Sequence, residues 1–185
     1  YMAYADGDLS LDSGEAQEIG WNNPPEVNDE KSYEKVELYL AYLLTIPGLP
    51  TLYYGDEIGL TGAADPDNRR MMRFDAELRP AENRMLQEVR KIVKLRRTHS
   101  ALRYGDFQTL GATENCFVYL RADLNERLLV VLNKSEQPQI VRIDLPKFYQ
   151  VEKAVDVMTG REYTMTNHHL VLTIPAIGWQ VWKIE

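Results

Sequence analysis

A carboxylate and a guanidinium four residues apart, Asp65 and Arg69, are the side chains of this sequence best suited to bind a ligand. They flank Pro66 in a polar segment whose Gly59 and Gly62 permit tight turns. A carboxylate accepts hydrogen bonds and a guanidinium donates them in a planar fork, so the two can hold several hydroxyl groups of a sugar. The alternative is that Asp65 and Arg69 form an ion pair that only stabilises the loop.

Asp56 and Glu57 form a second acidic pair in the same region. Two carboxyl groups about 5 Å apart are what a retaining glycosidase needs. Adjacent residues rarely point in the same direction, however, so we interpret both side chains as loop-stabilising hydrogen-bond acceptors.

Asp65 and Asp67 begin a pattern similar to a calcium-binding loop. The sixth and twelfth positions of such a loop require glycine and glutamate, but here they are Arg70 and Ala76. The sequence therefore supports no metal site and no cofactor in this chain, and whether a larger protein that contains it binds calcium is left open.

Trp21 is a further candidate because it lies in a polar stretch. Residues 1–28 contain several glycines and prolines without a sustained hydrophobic period, which predicts a long loop. Two roles fit an aromatic side chain there: stacking on the face of a sugar ring, or anchoring the loop.

The elements around the candidate pair follow from the apolar pattern. Residues 51–54 are a short apolar run between Pro50 and Gly55, which predicts a strand, and the polar segment up to Arg79 projects from its carboxyl end. In (β/α)8 barrels the loops at that end of the strands carry the substrate contacts.

Two helices are predicted on either side of this segment. Apolar residues at three-four spacing indicate an amphipathic helix from about residue 29 to 46, capped by Asn28 or Asp29. Pro80 suits the first turn of a second helix that reaches about Thr98.

Beyond the second helix the hydrophobic period changes to two, which indicates strands. The eight candidate strands cover residues 105–111, 115–123, 127–134, 138–145, 151–157, 160–166, 169–175 and 179–184. Short strands at this spacing are typical of an antiparallel sandwich, so the predicted fold class is α+β.

The segment from Pro47 to Met72 resembles the eighth strand and following loop of the α-amylase superfamily (glycoside hydrolase family 13), with the pattern PGxPxxYYGDExGxxGxxDPxxRxxM. The matching residues are Pro47, Gly48, Pro50, Tyr53, Tyr54, Gly55, Asp56, Glu57, Gly59, Gly62, Asp65, Pro66, Arg69 and Met72. The order of elements is also similar, which implies the last helix-strand-helix elements of a (β/α)8 barrel followed by an antiparallel Greek-key β-sandwich. By matched position, Asp65 and Arg69 resemble residues that line donor-side glucose subsites.

The resemblance also implies that the catalytic carboxylates lie elsewhere. In that family the nucleophile, the general acid and a third carboxylate follow the fourth, fifth and seventh barrel strands, the last within an Asn-His-Asp motif. This sequence contains no such motif, and residues 1–7 resemble the loop just beyond it. We therefore expect all three carboxylates to precede residue 1, and we assign no catalytic residue in this chain.

Composition narrows the range of partners. Lys and Arg number 21 against 28 Asp and Glu, a net charge of -7, so nucleic acid is not an expected partner. No apolar run approaches the ~20 residues of a membrane span, so no membrane partner is expected. Cys116 is the only cysteine, which excludes an internal disulfide.

We interpret residues 1–100 as a remnant of a catalytic barrel and residues 101–185 as a sandwich domain. The resemblance implies a segment of an enzyme that acts on α-glucosidic bonds of maltodextrin- or starch-type substrates by a retaining mechanism. Its implied partners are an α-glucan or maltooligosaccharide and the remainder of the barrel, and the segment alone is predicted to be inactive. Two alternatives stay open: a non-catalytic glucan-binding or structural module, and a glucosyltransferase of the same superfamily.

Overall fold

The computed structural model describes residues 1–10, 15–146, 149, 151–165 and 168–185. The chain forms two compact units, one of residues 1–40 and 50–92, the other of residues 41–49 and 93–185. This division runs through both long helices. The domain boundary near residue 100 stays a prediction.

Five α-helices form within the described residues. They are α1 (Met2–Asp6), α2 (Ala16–Asn22), α3 (Lys31–Thr45), α4 (Pro80–Thr98) and α5 (Ser100–Tyr104). Both predicted helices are confirmed, as α3 and α4. The segment between them contains three short 3-10 turns, at residues 56–58, 67–69 and 75–77. None of these helices is long and apolar enough to cross a membrane.

The long loop predicted for residues 1–28 is wrong where α1 and α2 form, and residues 11–14 of that prediction lie outside the described residues. The two helices contribute to a small apolar cluster of Ala3, Leu9 and Ala16. Helices of one or two turns are too short to produce a recognisable 3.6-residue period, so the sequence pattern does not reveal them.

The strand predicted for residues 51–54 is also wrong for this chain. Residues 51–53 pair with no other described segment, and Tyr54 begins a turn. The side chains of Tyr53 and Tyr54 are 47% and 45% exposed. A strand needs hydrogen bonds to a neighbouring strand, so a suitable sequence is not sufficient to form one.

Helix α3 begins where a carboxylate from α1 caps it. Asp6 Oδ2 accepts the backbone N–H of Asn28 at 2.8 Å, and Oδ1 accepts the backbone N–H of Asp29 at 3.0 Å and the hydroxyl of Ser32 at 2.7 Å. Burial raises the pKa of Asp6, but these hydrogen bonds outweigh it and the net shift is downward. The cap therefore comes from a distant residue as well as from the predicted Asp29, which accepts the N–H of Lys31 at 2.9 Å.

All eight predicted strands are confirmed within the described residues. They are β1 (Asp106–Ala112), β2 (Cys116–Ala122), β3 (Arg127–Asn133), β4 (Gln139–Asp144), β5 (Lys153–Asp156), β6 (Glu162–Thr164), β7 (His169–Ile174) and β8 (Gly178–Ile184). Residue 166, at the end of one predicted strand, lies outside the described residues.

The strands form two antiparallel sheets that enclose one core. Six strands pair in the order β1-β2-β3-β8-β5-β6, and β4 pairs with β7 in a second sheet. Leu129 and Trp182 of the larger sheet and Ile143 and Leu172 of the smaller one belong to the same buried cluster. The predicted sandwich is therefore present, with sheets of unequal size.

The central strand β3 is buried on both faces. Leu129 and Val131 point into the sandwich, and Leu128, Val130 and Leu132 on the opposite face are also buried. This explains why residues 128–132 are continuously apolar and do not alternate with polar residues.

Arg121 on β2 is fully buried, and its guanidinium satisfies backbone carbonyls. Nη1 donates to the carbonyls of Thr45 and Leu102, Nη2 to Gly105 at 3.0 Å, and Nε to Asp106 at 3.2 Å. The carbonyls of Thr45 and Leu102 lie in the last turns of helices α3 and α5. The last turn of a helix carries unsatisfied acceptors and partial negative charge. One side chain thus binds two helix ends to the sheet within the second unit.

Arg96 on α4 makes a similar set of contacts. Its Nη1 donates to the carbonyls of Leu44 and Ile46 at 2.7 and 3.1 Å, and its Nη2 to the carbonyl of Gly48 at 2.6 Å. Burial lowers the pKa of both Arg96 and Arg121, and a neighbouring arginine adds to the effect in each case.

Replacing Arg121 by lysine should lower the free energy of unfolding by about 2–4 kcal/mol, because an ammonium cannot reach all four carbonyls and leaves buried acceptors unsatisfied. Chemical denaturation of the variant followed by circular dichroism measures the loss. The control is Arg142→Lys, at an exposed position on β4, which should change stability by less than about 0.5 kcal/mol. Equal losses in the two variants would contradict this role of Arg121.

Candidate functional site in the loop between α3 and α4

The predicted pair, Asp65 and Arg69, meets at the surface of the first unit. Arg69 Nη2 lies 2.5 Å from Asp65 Oδ1, and the two side chains are 65% and 60% exposed, respectively. An exposed ion pair of this kind contributes little to stability. Both groups therefore remain available to a ligand that can replace their mutual contact.

A second ion pair in the same loop, Asp67 with Arg70, is largely but not fully buried. Arg70 donates from Nε to Asp67 Oδ1 and from Nη2 to Asp67 Oδ2, both at 2.7 Å. The side chain of Asp67 is only 12% exposed, and its Oδ2 also accepts the backbone N–H of Ala63 at 2.8 Å. Such a two-pronged contact fixes geometry as well as adding energy, so this pair determines the shape of the loop.

Arg70 also joins the loop to two other segments of the first unit. Its Nη1 donates to the carbonyl of Pro25 at 2.7 Å. Its own carbonyl accepts the hydroxyl of Tyr54 at 2.7 Å. The sequence did not predict that Asp67 and Arg70 stabilise the loop. A turn has no regular hydrophobic period, so the sequence does not show which of its side chains are buried.

Gly62 is required by the close packing of this loop. A Cβ atom at Gly62 would lie 2.8 Å from the carbonyl oxygen of Asp67 and 2.9 Å from Cα of Asn68, both backbone atoms. Any larger residue would therefore displace the turn that carries the site. Gly62 is thus needed for the close approach of two backbone segments, and its φ angle is not positive.

Helix α2 packs against the loop and brings Trp21 beside it. A Cβ atom at Gly20 would lie 3.0 Å from Cβ of Asp67, and the backbone N–H of Ala64 lies 3.4 Å from the carbonyl of Ala16. Trp21, the next residue on α2, is 70% exposed. Its indole therefore buries little surface against the loop.

The two ends of the loop are fixed by buried carboxylates. Asp56 is 7% exposed and its Oδ2 accepts the backbone N–H of Tyr53 at 3.0 Å, the hydrogen-bonding role expected from the sequence. Burial raises the pKa of Asp56. At the other end Glu82 of α4 pairs with Arg73 and accepts the backbone N–H of Arg79 at 2.9 Å.

Among the described residues, no group of three or more His, Cys, Asp or Glu side chains could hold a metal ion. The arrangement offers hydrogen-bond donors and acceptors in exposed positions.

A family model now identifies the β-rich half of the chain. The model described as the C-terminal domain of maltogenic amylase matches residues 107–181, which include β2 to β7 and most of β1 and β8. The chain carries the C-terminal domain of an α-amylase superfamily protein. Relatives with sequence similarity match over more of the chain than this family model does.

A cyclomaltodextrinase of Geobacillus thermopakistaniensis is 33% identical over 153 residues, which are 82% of this chain and 25% of the relative. Neopullulanase 2 of Thermoactinomyces vulgaris is 32% identical over 153 residues, which are 80% of this chain and 26% of the relative. The chain thus spans about a quarter of the length of these two relatives.

The fold is similar to that of solved α-amylase structures. The α-amylase of Geobacillus thermoleovorans, crystallised with acarbose, superposes with a TM-score of 0.74 and 28% identity, covering 85% of this chain and 34% of that protein. The likeness therefore extends beyond residues 107–181, which the family model matches.

Replacing Asp67 by asparagine should lower the free energy of unfolding by about 1–3 kcal/mol, because the Arg70 guanidinium loses its charged partner in a largely buried position. Asp65→Asn is the matched control and should change stability by less than about 0.5 kcal/mol, since its ion pair is exposed. Thermal unfolding and limited proteolysis of residues 59–79 measure the two effects. If Asp65→Asn were the more damaging change, the roles assigned to the two pairs would be reversed.

The pH dependence of the same pair has a defined sign. Burial raises the pKa of Asp67. The hydrogen bonds from Arg70 and Ala63 and the charge of Arg70 lower it by more, so the net pKa lies below the ordinary value of 3.8. The stabilisation by Asp67 is therefore complete above about pH 4 and is lost as the pH falls through the folded-state pKa. The difference in stability between wild type and Asp67→Asn should shrink below pH 4.

Proposed function

We propose that this chain is the C-terminal segment of an α-amylase-like glycoside hydrolase that acts on α-glucosidic bonds of maltodextrin- or starch-type substrates. The observation that carries the proposal is the exposed pair of Asp65 and Arg69 on a loop that a different, largely buried pair holds in shape. The names of the relatives, cyclomaltodextrinase and neopullulanase among them, support the substrate class.

Asp65 and Arg69 bind sugar hydroxyls in this proposal. A glucose residue presents neighbouring hydroxyl groups that both donate and accept, so a carboxylate and a guanidinium side by side can engage two of them at once. Because the loop does not need this pair for its own stability, exchanging the ion pair for hydroxyl contacts costs little. That reasoning favours the ligand-binding role of Asp65 and Arg69 over the purely structural one.

Trp21 contributes a stacking surface on the same rim. Its indole is exposed on a helix that packs against the loop, and aromatic faces bind the apolar faces of sugar rings. An anchoring role would require the indole to be buried against the loop, and most of its surface is not.

The proposed mechanism is retaining, with a nucleophile and a general acid supplied by residues outside this chain. Asp56 is a poor substitute, because its carboxylate is buried and engaged by the N–H of Tyr53. This segment therefore contributes substrate binding, and the bond-breaking groups belong to the rest of the catalytic barrel.

The proposed architecture assigns residues 1–100 to the end of a (β/α)8 barrel and residues 101–185 to a Greek-key sandwich domain. Helices α3 and α4 are then the last two barrel helices. Residues 51–54 then occupy the position of the eighth barrel strand between these helices, although they form no strand in this chain.

Replacing Arg69 by lysine in the full-length protein should lower kcat/KM for maltotriose hydrolysis by about 10- to 100-fold, or about 1.4–3 kcal/mol of transition-state stabilisation. Lysine keeps the charge but loses the planar fork. The matched control is Arg84→Lys on α4, whose side chain is 51% exposed and lies outside the loop. Unchanged kinetics with a lower melting temperature in Arg69→Lys would favour the structural role instead.

The 185-residue chain by itself should release no reducing sugar from maltodextrin, because it lacks a positioned acid and nucleophile. The assay needs the full-length protein as the positive control. Turnover by the chain at one hundredth of the full-length rate would show that catalytic carboxylates lie within it. Inactivity of the full-length protein on α-glucans, with retained glucan binding, would support the non-catalytic alternative.

A further inference from the structure

Helices α3 and α4 each place a carboxylate in their apolar packing stripe. Glu37 lies between Tyr33 and Leu40, four residues after the first and three before the second, and both neighbours are buried. Glu88 lies three residues after Met85 and four before Ile92, both of which are completely buried. An acidic side chain thus interrupts the apolar stripe of α3 at Glu37 and that of α4 at Glu88, in addition to the buried Glu82 in the first turn of α4.

The two helices pack against each other in the first unit. The side chains of Tyr33 and Met85 both reach the space above Gly59, where a Cβ atom would lie 2.8 Å from the Tyr33 ring and 2.9 Å from Met85 Sδ. We call the contact between residues 31–40 and 80–92 the α3–α4 interface. Glu37 lies on the α3 side of this interface.

One carboxylate oxygen of Glu37 lacks a hydrogen bond. Its Oε1 is buried and has no hydrogen-bond partner among the described residues. The cations that face it are engaged by other carboxylates: Lys91 Nζ lies 2.6 Å from Glu88 Oε1, and Arg84 Nη1 lies 4.0 Å from Glu30 Oε2. An ionised Glu37 would therefore keep a buried charge without a hydrogen-bonded partner, which is costly.

The electrostatic surroundings agree with the geometry. Burial, together with the negative charges of Glu88 on α4 and Glu34 on α3, raises the pKa of Glu37 to about 7, against a partial opposing effect of Arg84 and Lys91. The carboxyl group is therefore protonated in mildly acidic solution and ionised in mildly alkaline solution.

We propose that Glu37 is a proton-dependent latch of the α3–α4 interface. In its neutral form the carboxyl group packs within the apolar stripe, and the interface is closed. When the group ionises, it draws water into the interface and repels Glu88, and the two helices separate locally. Because the loop with Asp65 and Arg69 connects these helices, its mobility increases as the latch opens.

The sign of the effect follows from linkage. The folded-state pKa lies above the ordinary carboxyl value of 4.5, so the protonated group contributes stability that is complete below about pH 4.5. This contribution is lost as the pH rises through about 7. The latch concerns the stability of the first unit, so it holds whether or not the loop binds sugar.

Thermal unfolding of Glu37→Gln at pH 5.5 and pH 8.5 tests the latch. The amide is neutral at both values, whereas wild type loses stability as Glu37 ionises, so the melting temperature of the variant relative to wild type should rise between pH 5.5 and pH 8.5, by on the order of 3 °C. Glu34→Gln removes the same charge from an exposed position one turn away on α3 and should follow wild type closely at both values. Parallel pH profiles of wild type and Glu37→Gln would overturn the proposal.

Carboxyl carbon NMR of the wild-type chain gives a second measurement that does not depend on how the variant folds. The Glu37 resonance, assigned by residue-selective labelling and sequential correlation, should titrate with a midpoint near 7. A midpoint near the ordinary value of 4.5 would show that the group is not desolvated, and the latch would be rejected.

Discussion

The structure depends on charged side chains that satisfy the backbone polar groups of irregular segments. A long connection without regular hydrogen bonding keeps one shape only if its N–H and carbonyl groups find partners. In the loop between α3 and α4 the Asp67 carboxylate takes the N–H of Ala63, and the Arg70 guanidinium takes the carbonyl of Pro25. Since this largely buried pair holds the loop, the neighbouring Asp65 and Arg69 are left exposed and free of a structural task.

The same constraint operates at the helix ends of the second unit. Arg121 and Arg96 are buried cations whose partners are backbone carbonyls at the ends of α3 and α5 and just beyond α3. The desolvation of each guanidinium is offset by several hydrogen bonds to acceptors that a helix terminus leaves unsatisfied. In both units, therefore, charged side chains form hydrogen bonds with backbone N–H and carbonyl groups that are not paired within a helix or a sheet.

The sequence predicts the elements whose signal lies within their own residues. Helices α3 and α4 and the eight strands carry their hydrophobic periods over enough residues to be recognised, and the resemblance of residues 47–72 indicated the family. The pairing of Asp67 with Arg70 could not be predicted, because the sequence Asp-Pro-Asp-Asn-Arg-Arg offers two acids and two arginines, and only the geometry of the turn decides which meet. The strand predicted for residues 51–54 does not form, because a strand needs a hydrogen-bonded neighbour and no described segment pairs with these residues. Burial of Arg121 contradicts the usual preference of arginine for the surface and is explained only by helix ends distant in sequence.

The central claim is that the ion pair of Asp67 and Arg70 holds the loop in shape, so that Asp65 and Arg69 can bind sugar. A crystal structure of the full-length protein with a bound maltooligosaccharide tests it most directly. The account predicts that hydroxyl groups of one glucose residue lie within hydrogen-bond distance of both Asp65 and Arg69, while Asp67 and Arg70 keep the contacts with each other described above. A bound sugar that contacts neither Asp65 nor Arg69, or a loop in which Asp67 and Arg70 separate to bind it, would contradict the claim.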